Sequence, residues 1–167
     1  MQTLIAKLDT ASDRFGSLVS WLSLALVLVT GLVVLLRYAF NWAPIALQES
    51  MTYLHASLFM LGAAYSLQHD KHVRVDVFYR NFDVRRKALV NIGGTILLLF
   101  PTCLFSLIIC WPYVADSWSI LERSVEGNGL PFIYLLKTLL LIQPVLLMLQ
   151  GIIEIMRNIK NLQEHAA

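Results

Sequence analysis

Charge is what this chain lacks most. Asp, Glu, Lys and Arg together make up 14% of its 167 residues, against 57% that are hydrophobic. That balance is too apolar for a water-soluble domain. The acidic residues form no paired-carboxylate cluster, and the sequence holds no nucleophile elbow, metal-binding motif or phosphate loop. No catalytic residue, metal site or enzyme activity is therefore expected. Cysteine is scarce too. Cys103 and Cys110 are seven apart in one apolar run, so a helix would separate them by about 10 Å. That exceeds the Cα spacing a disulfide tolerates, and it leaves both as apolar filling. A histidine facing a second histidine across two helices would suit haem, but His69, His72 and His165 lie too far from the level of His55 to serve. No cofactor is expected. No internal repeat or pair of broken helices is visible, which argues against a self-sufficient carrier with a midplane substrate site. A formal net charge of only +2 gives no basis for a nucleic-acid partner.

What the chain has instead is four long apolar stretches, at 17–36, 44–68, 88–115 and 130–153. Each is long enough to cross a bilayer, which takes roughly 20 mainly apolar residues. The expected fold is an all-α integral membrane protein of four transmembrane helices in a single domain. The spans are placed at about 17–36, 44–68, 86–115 and 131–156. Short amphipathic helices at the interface are expected at 3–14 and 72–82, the second from the spacing of Val75, Phe78, Tyr79 and Phe82. The cations Lys71, Arg74, Arg80, Arg85, Arg86 and Lys87 crowd the second connection, and Lys7, Arg14, Arg157 and Lys160 flank the outer ends of the first and last spans. The positive-inside rule then puts both termini and this connection in the cytoplasm, where the cations meet anionic lipid. The first apolar run is about twice a signal-peptide core, with no small-residue cleavage pattern after it, so it is expected to remain as a helix. Trp21, Tyr38, Trp42, Trp111, Tyr113 and Trp118 fit aromatic belts at the two interfaces. Pro44 and Pro131 suit first helical turns. Asp83 is a candidate N-cap of the third helix, which must tilt, bend at Pro101 or project beyond the bilayer. Gly62, Ala63, Ala64, Gly93 and Gly94 offer close helix contacts.

Few polar groups interrupt the spans. Glu49 lies five residues past Pro44 and Lys137 six past Pro131, at matched depth about 8–9 Å below the helix starts. An interhelical ion pair would offset their burial, as a proton or ion relay or as an assembly contact; a Lys137 that snorkels to the interface is the simpler alternative. His55 and Gln143 lie at similar depth near mid-membrane and are expected to touch between the second and fourth helices.

Gln48-Glu49-Ser50, followed by HASLFMLGAAYSLQHDKHVRVDVFY over 55–79, resembles the DctQ-type small membrane subunit of TRAP transporters, the tripartite ATP-independent periplasmic systems. SWSILERSVEGNGLP at 117–131 and LLLIQPVLLMLQG at 139–151 resemble the outer loop and last helix of one branch of that family, often linked to organic acids. Gln48-Glu49 departs from the pattern, because many members carry two acidic residues there. The resemblance implies a stator in the bacterial inner membrane with no substrate-binding residues of its own. It would brace a large membrane subunit that carries the organic acid, coupled to sodium, and would dock a periplasmic substrate-binding protein transiently. Glu49, Lys137, His55, Gln143, Arg37, His72, Arg74 and Asp76 would then serve structure and assembly. A membrane anchor for a redox or other enzyme complex is the competing reading.

Overall fold

The computed structural model describes residues 2–69 and 82–164, and among them every regular element is helical. The expected helix at 72–82 lies almost wholly outside the described residues. Helix α1 (Gln2–Phe40) ends where Asn41 adopts φ 48 and the Trp42 amide donates to the Leu36 carbonyl at 3.1 Å. Asn is one of the few side chains that tolerate this left-handed conformation. Pro44 follows as the N-cap of α2 (Ile45–Gln68), one position before the first turn it was expected to open. Its carbonyl accepts the Leu47 and Gln48 amides at 3.1 and 3.3 Å.

The segment 3–14 differs from expectation. Rather than a separate interfacial helix, it continues unbroken into the first span. No glycine or proline interrupts the chain before Gly16, so nothing ends the backbone ladder. Polar contacts of Asp9, Ser12 and Asp13 with the other helices hold this extension in line with the span.

The third rod is built from α3 (Val84–Gly94), a π-helical turn (Thr95–Leu99) and α4 (Phe100–Ser119). Asp83 stands just before it, its carbonyl accepting the Lys87 amide at 2.9 Å. Pro101 explains the π-turn. Proline has no amide hydrogen and its ring collides with the carbonyl four residues back; widening the preceding turn accommodates both. Helix α5 (Ile133–Glu164) completes the chain.

Among the described residues, three helices are long and apolar enough to cross a membrane: Asp9–Phe40, Arg85–Ser119 and Ile133–Lys160. Helix α2 is not among them, since Gln48, Glu49, Ser50, Thr52 and His55 make its first half polar. It nevertheless sits between two spans. Helix α1 packs on α2, α2 on α5, and α5 on the whole third rod, whereas α1 and α2 make no substantial contact with that rod. The helices form a row, not a closed bundle, and so share little core. Its buried apolar positions are mostly small, such as Val19, Val33, Ala64, Ala88, Cys103 and Val114. Small side chains let helix backbones approach in a bilayer, where apolar burial alone gives little drive.

Two glycines within helices make close approaches to a neighbouring helix. A Cβ on Gly16 of α1 would overlap the Tyr65 ring of α2, and one on Gly151 of α5 would lie 2.9 Å from Phe100 and 3.0 Å from Leu99 and Thr95. Gly151 thus receives the π-turn. Gly93 and Gly94, expected to mediate contacts, face open space, while Gly62 makes ordinary contact with Val19 at 3.9 Å. Cys103 and Cys110 are free thiols.

Candidate functional site

Two polar layers tie the helices, one at each end. The outer layer is organised by the loop between α4 and α5. Leu121 takes φ 46, a conformation glycine usually fills. Its amide returns to the Trp118 carbonyl at 3.2 Å and that of Glu122 to Ser117 at 3.0 Å, which caps α4 and folds the loop back over the helix ends. Glu122 then receives a hydrogen bond from Lys137 of α5, and the Lys137 ammonium sits 3.9 Å above the Tyr113 ring. The hydrogen bond from Lys137 holds the Glu122 carboxyl below its ordinary pKa. Farther along, the Glu49 carboxylate of α2 accepts the Ser124 hydroxyl on one oxygen and the Leu130 amide, at 2.5 Å, on the other. Gly129 lies so close that a Cβ there would overlap both Ser124 and Glu49. Trp118 donates to Thr138 at 2.9 Å, and Arg37 of α1 donates to Gln48 of α2 at 3.2 Å.

The inner layer is larger. Arg157 of α5 donates to Asp9 of α1 at 2.8 Å and to Glu154 at 3.0 Å. Asn158 donates to the Glu154 carboxylate at 3.1 Å and accepts from Asn91 of α3 at 3.4 Å. Ser12 donates to the buried Gln150 at 3.5 Å. Gln68 of α2 donates to Asp13 at 3.0 Å, and His69 stands 3.5 Å from the same carboxylate. Helices α1, α2, α3 and α5 all meet here, so the start of α1 and the end of α5 share one face of the molecule.

These layers have a spacing with physical meaning. From Lys137 to Glu154 a helix rises about 25 Å, from Glu49 to Gln68 about 28 Å, and from Asp13 to Arg37 about 36 Å. A hydrocarbon core is about 30 Å thick. Between the layers no three or more His, Cys, Asp or Glu among the described residues are grouped to hold a metal. Within the two layers, Glu49, Glu122, Lys137, Asp9, Glu154 and Arg157 are each engaged by another part of the same chain, an arrangement that fixes helices to one another.

The profile of one family, described as "Tripartite ATP-independent periplasmic transporters, DctQ component", matches residues 26–161. The chain belongs to the DctQ family. No curated protein and no solved structure matches it. The DctQ assignment makes it the small membrane subunit of a TRAP transporter, a multi-pass membrane component and not an enzyme.

Within this DctQ subunit, two expected pairs do not form. Glu49 and Lys137 share a depth but not a partner, because the folded-back loop offers each a nearer one. The direct ion pair does not form. His55 and Gln143 make no hydrogen bond either: His55 lies on an exposed face of α2 with Thr52 and Phe59, while Gln143 is half-buried on α5. Depth can be counted along a sequence, but the direction in which each helix is turned cannot. Arg37 does make an interhelical contact, through Gln48. His72, Arg74 and Asp76 lie outside the described residues. Sequence reasoning passed over the inner layer altogether. Its signal was present in Gln150, Glu154 and Asn158, polar residues spaced by four along an otherwise apolar helix, and in Asp9 and Asp13 at the same spacing.

Proposed function

We propose that this chain is the fixed brace of a sodium-coupled importer of an organic acid. It acts with a large membrane subunit that carries the substrate and with a periplasmic substrate-binding protein that docks transiently. It lies in the bacterial inner membrane with four spans and both termini in the cytoplasm. One observation carries the reading: among the described residues, Glu49, Glu122, Lys137, Asp9 and Arg157 are engaged at the two ends by this chain's own helices and loop. A subunit built this way holds shape and leaves substrate and ion chemistry to a partner. The fourth span is α2, whose polar first half is tolerable beside α1 and α5. The cations of the connection between α2 and α3 favour the cytoplasmic side.

The test is uptake of a labelled organic acid by cells expressing the three transporter genes, with and without this one. Accumulation that needs this chain and collapses when the sodium gradient is dissipated supports the proposal. Reporter fusions at both termini should read cytoplasmic. Purification of the chain with a haem- or quinone-bearing enzyme, in place of a transporter subunit, overturns it.

A further inference from the structure

The exposed side of α2 differs from that of the third rod. Leu104, Phe105, Ile108 and Ile109 of α4 are each more than half exposed and wholly apolar, as a lipid-facing surface should be. The α2 face instead carries Thr52, His55 and Phe59 (68% exposed), spaced three and four residues apart so that they lie along one stripe. His55 is about 9 Å from Glu49 and about 20 Å from Gln68 along the helix, well inside the hydrocarbon layer. Three exposed hydroxyls of α1 turn back onto their own helix: Ser20 to the Ser17 carbonyl at 2.7 Å, Ser23 to Ser20 at 2.6 Å and Thr30 to Leu26 at 2.7 Å. The His55 imidazole has no hydrogen-bond partner among the described residues and is turned outward. Lipid tails offer such a ring neither donor nor acceptor, so ionisable groups at this depth face protein or water.

We propose that the α2 face of Thr52, His55 and Phe59 seats a transmembrane helix of the large membrane subunit, with a hydrogen-bonding side chain of that helix at the level of His55. The proposal rests on the transporter reading above and identifies the surface by which the brace holds its partner. Phe59 gives apolar contact, and His55 sets the register. The α4 face is left to lipid.

Photo-crosslinking in native membranes tests this, with the full chain co-expressed with the other transporter subunits. The photoreactive p-benzoylphenylalanine replaces Phe59 in one strain and Phe105 in another, and adducts are identified by mass spectrometry. An adduct with the large subunit from position 59 and none from position 105 is expected. An adduct from 105 alone, a second copy of this chain captured at 59, or lipid alone at 59 while the large subunit still co-purifies overturns the proposal but leaves the transporter reading standing. If the large subunit does not co-purify with the unsubstituted chain, the transporter reading falls and this proposal with it. His55→Leu is expected to lower recovery of the large subunit about threefold to tenfold, the range of one interhelical hydrogen bond in a bilayer. His55→Gln is expected to restore it. Full recovery with His55→Leu overturns the role given to His55.

Discussion

At the scale of single residues, Glu49 shows how a carboxylate persists at the edge of a hydrocarbon layer. Both of its oxygens accept hydrogen bonds from the outer loop, so its charge closes the loop onto α2. Replacement by alanine would strand the Leu130 amide and the Ser124 hydroxyl. Glu49→Ala is expected to cost about 2–3 kcal/mol, seen as faster amide exchange over 124–130 with α1 unaffected. Glu122 adds a pH dependence. Its folded pKa is lowered by Lys137, so its stabilising contribution is complete above the ordinary glutamate value of about 4.3 and is lost as pH falls through the lower folded value. The melting-temperature gap between the wild-type chain and Glu122→Gln should therefore be widest near neutrality and close in acid. A gap that widens in acid would show that the tie to Lys137 does not hold the loop. The loop's path over these residues was hidden in the sequence, because the left-handed turn at Leu121 sits where no glycine announces it.

At the scale of elements, the third rod and α5 depend on each other. Pro101 accounts for the wide turn at Thr95–Leu99, and that turn packs closely on Gly151, where an added Cβ would crowd Phe100, Leu99 and Thr95. Gly151→Leu should displace the rod from α5 and lower stability by roughly 1–3 kcal/mol, the usual range for overpacking, measured by thermal unfolding in detergent. Gly93→Leu, facing open space, should change it far less. The need for a bend or tilt near Pro101 was legible from the proline and the length of the apolar run. Which glycine would meet the bend was not, since that contact lies between segments about fifty residues apart in the chain and depends on how α5 is turned.

At the scale of the whole molecule, a row of helices with little shared core relies on polar ties at its two ends. The inner layer joins the start of α1 to the end of α5 through Asp9 and Arg157, each about one-third exposed. A double-mutant cycle on that pair should give a coupling of about 1 kcal/mol or less. Glu154→Ala removes a buried partner of both Arg157 and Asn158 and should cost about 3 kcal/mol. Both are readable from detergent unfolding, and equal effects would argue against the layered design. By itself the sequence determined the all-α membrane class, the presence of long apolar helices and the family, since run length, charge and local motifs are properties of neighbouring residues. Tertiary structure alone decided that the outer loop and not the facing helix satisfies Glu49 and Lys137, and that His55 points away from Gln143. Each of those outcomes depends on how a helix is rotated about its axis and what folds over its end. Those are set by the joint packing of segments far apart in the chain.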